Sequence, residues 1–276
     1  MSQKSILITG CSTGIGYYCA KALHKEGNFR VFTTARNSED VQRLKEEGLE
    51  AYQLDLDDSR SIQDALDAIM IATDGELYAL FNNGAYGQPG CVEDLSREVL
   101  RAQFETNLFG THELTTKVLP IMRAQGYGRI IQNSSVLGFV AMRYRGAYNA
   151  SKFALEGLSD TLRLELENTN IHLSLIEPGP IRSDFRKNAL AKFLENIDRE
   201  HSPHKTLYHN KLQSLQSTED VPFTLGEDAV YDALLHALVA KRPKARYRVT
   251  KPTSFFWYLK RILSTSMLDK VLRKVE

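Results

Sequence analysis

Ser5-Ile6-Leu7-Ile8-Thr9-Gly10-Cys11-Ser12-Thr13-Gly14-Ile15-Gly16 decides how the rest of this 276-residue chain is read. The run Ser5 to Thr9 is short, apolar and rich in β-branched residues, which predicts a buried strand. It passes directly into three glycines, and Tyr17 to Glu26 then reads as helix. Strand, glycine turn and helix form the opening unit of a dinucleotide-binding fold. Gly10 permits the turn, Gly14 lets a pyrophosphate approach the backbone, and Gly16 lets the helix pack on the strand. The helix N-terminus offers unpaired N–H groups and partial positive charge to phosphate. The spacing is Thr-Gly-x-x-x-Gly-x-Gly, not the commoner Gly-x-Gly-x-x-Gly. A glycine-rich hairpin fits poorly, because neither flank alternates as a hairpin strand does.

The pattern continues outward. Strands are expected at Ser5–Thr9, Arg30–Thr34, Glu50–Leu54, Leu77–Asn82, Gly128–Asn133, His172–Ile176 and Ala245–Val249. Helices are expected at Gly14–Glu26, Ser38–Glu47, Ser59–Thr73, Arg97–Gln125, Tyr148–Asn168, in broken pieces over Asp184–Ser217, and at Glu227–Val239. Apolar strands without polar alternation are buried on both faces, so the prediction is one α/β domain. It is a doubly wound, seven-stranded parallel Rossmann sheet with helices on both faces. Residues 1–250 form that domain, with 185–226 as a substrate lid and 251–276 as a basic amphipathic helical tail. Ligands bind at the carboxyl ends of such strands, where Asp55, Asn82, Ser135 and Pro178 fall.

A second constellation is Tyr148-Asn149-Ala150-Ser151-Lys152. Tyr148 and Lys152 share one helical face, about 6 Å apart along the axis. A lysine ammonium there stabilises a tyrosinate and lowers a phenol pKa that is otherwise about 10. Such a tyrosine exchanges protons with an alcohol or carbonyl oxygen. Cofactor choice is read at the end of the second strand, Thr33-Thr34-Ala35-Arg36. No acidic residue stands at Ala35 to bind a ribose 2′-hydroxyl. Arg36 offers a planar fork to a 2′-phosphate, so NADP(H) is expected.

With these residues in hand, the chain resembles the short-chain dehydrogenases/reductases over nearly its whole length. Thr9-Gly10 to Gly16, Asn82-Asn83-Gly84-Ala85, Asn107, Ser135, Tyr148-x-x-x-Lys152 and Pro178-Gly179 follow that family's order and approximate spacing. Gly-Cys-Ser-x-Gly-Ile-Gly, Thr-Ala-Arg, Ser-Lys-Phe-Ala-Leu-Glu-Gly and Ile-Glu-Pro-Gly-Pro-Ile are similar to the 17β-hydroxysteroid and retinol dehydrogenases and to bacterial NADPH-dependent aldehyde reductases. The resemblance implies catalytic roles for four residues. Tyr148 is the general acid/base, Ser135 holds the substrate oxygen, Lys152 lowers the tyrosine pKa and binds the nicotinamide ribose, and Asn107 holds a proton-relaying water. It also implies cofactor contacts from Gly10, Ser12, Thr13, Gly14, Ile15, Gly16, Asp55, Leu56, Asn82, Asn83, Gly84, Pro178, Gly179, Ile181 and Ser183. Gly84-Ala85 reverses the family's usual Ala-Gly, and a small local shift is expected there.

The implied activity is hydride transfer between NADP(H) and a lipophilic aldehyde or ketone, or the matching alcohol. The pocket is expected from 136–147, 87–92 and 186–222, including Leu137, Phe139, Val140, Met142, Tyr144, Leu190 and Phe193. The alternatives are a cofactor-binding regulatory module without turnover, and dehydration or epimerisation on the same fold.

Composition bounds the rest. A net charge of +1 argues against a general nucleic-acid binder. Three cysteines without ligand spacing read as free thiols, and His201, His204 and His209 read as solvated, so no metal is expected. No leader or membrane-spanning run is expected, so the location is read as cytoplasmic, and a homo-oligomer (dimer or tetramer) is anticipated. From Lys241 onward there are 11 Lys and Arg against 2 Asp and Glu, a net of +9. Phe255, Leu259, Ile262, Leu263, Leu268, Val271 and Leu272 recur there at near-helical spacing, with basic residues between them. Such a helix either packs on its own core and walls the pocket, or makes peripheral contact with anionic lipid.

Overall fold

The computed structural model describes residues 3–216 and 220–275. Positions 217–219 of the expected lid and 276 of the tail lie outside the described residues. Seven strands form one parallel sheet: β1 Lys4–Ile8, β2 Phe29–Ala35, β3 Glu50–Gln53, β4 Ala79–Asn82, β5 Gly128–Asn133, β6 Ile171–Glu177 and β7 Arg246–Arg248. The order is β3-β2-β1-β4-β5-β6-β7, with Ile8 level with Thr33 on one side and with Phe81 on the other. The order reverses between β1 and β4, and the crevice there is where such folds bind ligands.

Helices α1 Gly14–Glu26, α2 Ser38–Glu46 and α9 Asp228–Val239 cover one face. Cys19, Ala20 and Leu23 of α1 and Leu234, Ala237 and Leu238 of α9 pack there on Ile6, Ile8 and Val31. Helices α3 Ser59–Ala72, α5 Thr111–Gln125 and α6 Gly146–Glu165 cover the other face. Ile62, Leu66 and Ile69, with Leu114, Val118 and Met122, pack there on Leu7, Leu80 and Ile130.

One expected helix is interrupted. The stretch 97–125 is α4 Arg97–Phe104, a π-helical segment Glu105–Gly110, and α5. Inserted π turns of this kind often mark functional positions, and Asn107 lies in this one. Gly110 closes the segment against β3's outgoing loop: a Cβ on it would lie 1.9 Å from the Leu56 carbonyl oxygen.

The segment expected to be a lid contains α7 Phe185–Asn196 and α8 Lys205–Gln216. Its return strand clips onto the segment it left: Arg182 N–H donates to Leu225 O at 2.9 Å and Leu225 N–H to Pro180 O at 3.2 Å. The tail is α10 Lys251–Ile262 and α11 Thr265–Leu272. Its inner face packs on the protein: Phe256, Leu259, Leu268, Val271 and Leu272 cluster with Val136, Leu137, Val140 and Tyr148. Among the described residues no helix is long and apolar enough to cross a membrane.

Candidate active site

The glycine turn is locked by side chains at its edges. Gly10 and Gly14 have φ of 68° and 59°, values that favour glycine. A Cβ on Gly16 would lie 2.3 Å from Gly10 O and 2.5 Å from Asn83 Nδ2, and one on Gly10 would lie 2.8 Å from Gly84 Cα. Thr9 Oγ1 accepts from the Asn83 and Gly84 N–H groups, both at 2.9 Å. Asn83 Nδ2 donates to Thr9 O and Gly10 O, and Asn83 Oδ1 accepts from Asn133 Nδ2 at 2.9 Å. Asn82 Nδ2 donates to Thr115 Oγ1 at 2.9 Å. The ends of β1, β4 and β5 are thereby one unit. Gly84 faces the Leu56 side chain, where a Cβ would lie 3.0 Å from Cδ1, so the reversed Gly-Ala pair leaves Leu56 room.

The remaining expected cofactor residues border this crevice. Arg43 Nη2, from α2, donates to Ser12 O at 2.6 Å and fixes the turn beside Thr13 and Ile15. Asp55 Oδ1 accepts from Asp57 N–H at 3.1 Å, and its own N–H donates to Ser61 Oγ. Arg36 is exposed at the carboxyl end of β2, after the buried Ala35. Gly14 faces Ser183, with a would-be Cβ 3.1 Å from Ser183 Cβ. Pro178 O accepts from Val136 N–H at 2.8 Å, and Gly179 packs on the start of α10, where a Cβ would lie 2.1 Å from Thr250 Oγ1. Ile181 forms an isolated bridge with Leu225. A turn in which Gly10 and Gly16 leave no room for a Cβ and Gly10 and Gly14 have positive φ, beneath a helix N-terminus, fits a dinucleotide pyrophosphate.

Ser135, Tyr148, Lys152 and Asn107 converge beside that crevice. All four are buried. Ser135 follows β5 and its hydroxyl is hydrogen-bonded to the Tyr148 phenol. Lys152 Nζ donates to Asn133 O at 2.6 Å and stands 5.7 Å from the Tyr148 ring centre. Asn107 accepts from Tyr86 N–H at 3.1 Å and donates to Tyr86 O at 3.0 Å and Ser151 Oγ at 3.2 Å. Burial pushes the Tyr148 phenol up to about 12, against the opposing pull of Ser135 and Arg145. Burial pulls the Lys152 ammonium down to about 8, against the pull of Glu156. The expected lowering of the tyrosine by its lysine is not seen: the opposing pull comes from Ser135 and Arg145, and desolvation disfavours both charged forms.

Several neighbours carried no usable signal in the sequence. Asn133 serves through its backbone carbonyl, and Ser151 supports Asn107 from inside α6. Phe185 meets the Tyr148 ring edge-on, 5.3 Å between centres, and a Cβ on Gly87 would lie 2.7 Å from its Cζ. Of the expected pocket residues, Leu137, Val140, Phe139 and Met142 join the Tyr148 cluster. Phe193 and Tyr144 belong to a separate one with Cys91, Ile197 and Tyr208 beneath the expected lid. Leu190 is half-buried on α7. His201 pairs with Asp198, His204 with Glu93, and His209 is exposed. Ligand atoms of Cys91, Asp94 and His204 lie within 4.8 Å of one another, but Asp94 already accepts from Ser202 and Tyr208. All three cysteines are free and buried.

The sheet, the glycine cradle and the Ser-Tyr-Lys-Asn cluster at its switch point make up the arrangement of an α/β oxidoreductase. A family model described as short chain dehydrogenase matches residues 4–193, and the chain belongs to that family. It is 41% identical over 275 residues to the uncharacterized oxidoreductase YbbO of Escherichia coli, covering 98% of this chain and 94% of the relative. It is 32% identical to human 17-beta-hydroxysteroid dehydrogenase type 1, covering 91% and 79% of the two chains. A solved short-chain dehydrogenase from Streptomyces avermitilis superposes with a TM-score of 0.78 at 27% identity, covering 100% of this chain and 99% of the other.

Proposed function

We propose that this chain is an NADPH-dependent reductase of lipophilic aldehydes or ketones, able to run toward the matching alcohol's oxidation. One observation carries the reading: the Ser135 hydroxyl and Tyr148 phenol meet at a point walled by Val136, Leu137, Val140 and Phe256. That is a proton donor and an oxygen-binding hydroxyl set in an apolar surround. The human steroid dehydrogenase relative acts on a lipophilic compound by its name, in keeping with such walls.

When bound, NADPH supplies the hydride. Gly10, Gly14 and Gly16 would hold its pyrophosphate, Arg36 its 2′-phosphate, and Lys152 its nicotinamide ribose. Ser135 orients the substrate oxygen. Tyr148 gives that oxygen a proton as negative charge develops on it. A phenol held near 12 keeps its proton at neutral pH, which supports the reductive direction. Asn107 lies within reach of Ser151, itself hydrogen-bonded to the Tyr148 carbonyl, and steadies the start of α6.

The test is NADPH consumption by purified protein against straight-chain aldehydes of rising length, retinal and a steroid ketone. Turnover that improves with chain length or ring bulk is expected. NADPH binding without turnover across the panel would overturn the reading in favour of a cofactor-binding regulatory module.

We also infer that the outer face of α10 and α11 meets anionic lipid. Phe255, Tyr258, Ile262 and Met267 are exposed there, interspersed with Arg261 and Lys270. Intact protein should sediment with phosphatidylserine vesicles and release in salt. Protein that stays in the supernatant at low salt would remove the lipid role.

A further inference from the structure

We propose that Glu156 is a positioning residue for the candidate catalytic lysine: clamped by Arg246 of the last strand, it holds Lys152 in its protonated form and braces the turn carrying Ser135. The proposal builds on the function proposed above only for its turnover readout.

Glu156 follows Lys152 by one helical turn on α6, so the two side chains share a face, about 6 Å apart along the axis. Both are buried, at 7% and 3% exposure. Glu156 Oε2 accepts from Arg246 Nη2 at 2.7 Å. The Ser134 hydroxyl faces the same carboxyl and, with Arg246, opposes the burial that raises it. Its Oε1 borders the catalytic turn: a Cβ on Gly138 would lie 3.2 Å from that oxygen and 2.7 Å from the Ser134 hydroxyl. A buried carboxylate is costly unless a cation balances it. Arg246 is already divided, donating also to Asp160 at 2.9 Å and Glu177 at 2.8 Å. Asp160 has a further partner in Arg163, and Glu177 faces Arg248. Glu156 shares its helical face with Lys152.

The charged and titratable groups around the pair are Tyr148 and Asp160 on α6, Glu177 on β6, Arg246 on β7 and Lys260 on α10. Glu156 opposes the burial that pulls the lysine down to about 8. Removing a neighbouring unit charge at an effective dielectric near 20 shifts a titration by about one to two pH units. Strand β7 contributes no expected cofactor contact, yet through Arg246 it would fix the charge of the catalytic lysine.

The experiment compares wild type with Glu156→Gln and Glu156→Met across pH 6–10. Two readouts are taken: carbonyl-dependent kcat/KM, and NADPH affinity by fluorescence without substrate. The alkaline limb of both should move about one pH unit or more to lower pH in either variant, and Glu156→Asp should restore it toward wild type. A limb at the wild-type position in whichever neutral variant folds would overturn the proposal, because a purely structural role lowers activity without moving a titration. If wild type turns over no carbonyl, the functional reading fails, and the binding titration still decides this one.

Discussion

Around the glycine turn, backbone packs on backbone. Gly16 leaves no room for a methyl between Gly10 O and Asn83, and Gly110 leaves none beside Leu56 O. Around α7 and the C-terminal helices, contact is made by interchangeable apolar side chains: Phe256, Leu259, Leu268 and Val271 against Leu137 and Val140. The glycine end therefore tolerates almost no variation at Gly10, Gly16 and Gly110, since a backbone approach is satisfied by glycine alone. The end walled by the C-terminal helices needs only apolar residues of about the right volume, so it can be retuned without disturbing the fold.

The sharpest way to break this division is at Tyr148, where the two ends meet. Tyr148→Phe should cut kcat by at least the ~10²-fold typical of lost acid catalysis, with NADPH affinity near wild type. Unchanged turnover would remove Tyr148 from the chemistry. Arg36→Ala should weaken NADPH by about 10- to 150-fold, the span of a charge-assisted hydrogen bond, and leave NADH nearly untouched. Equal losses for both coenzymes would show that the arginine meets no 2′-phosphate. Gly16→Ala should lower unfolding stability by about 1–3 kcal/mol in urea titration, an overpacking cost that a tolerant turn would not show. Leu259→Ala should raise KM for long-chain aldehydes by up to about 50-fold, leaving short ones and NADPH unaffected, since it removes three carbons and each buried CH₂ contributes about 0.8 kcal/mol.

pH gives a further test of the site as a whole. Lys152 loses its proton as pH rises through about 8, because burial disfavours the ammonium. Reductive kcat/KM should fall above that pH, while Tyr148, held near 12, stays protonated throughout. A rate that holds constant to pH 10 would mean that the lysine charge is not needed.

The strands, their parallel sheet and the Tyr148–Lys152 pair were legible in the sequence because each rests on a local rule, whereas Ser135 was placed by the family resemblance and the strand order was not read at all. The glycines, the apolar runs and the i,i+4 pair all report their own backbone. The π turn at Glu105–Gly110 was not legible: it arises where Gly110 meets Leu56 O, 54 positions earlier in the chain. Lys152's hydrogen bond to Asn133 O was equally hidden, since a carbonyl carries no residue signature. The inward packing of the tail stood as one of two alternatives, because amphipathic spacing alone does not say what the apolar face touches.

Phe185 has a kinetic consequence. Its ring covers the Tyr148 ring edge-on, held there by the room that Gly87 leaves. For a carbonyl that displaces that ring on its way to the phenol, observed affinity scales with the fraction of molecules in which the ring is already displaced. A substrate bearing an aryl group can take over the edge-to-face contact, worth about 0.5–1.5 kcal/mol, as it displaces the phenylalanine. Aryl aldehydes should therefore outcompete alkyl aldehydes of equal volume by about two- to tenfold, and Phe185→Leu should erase that preference.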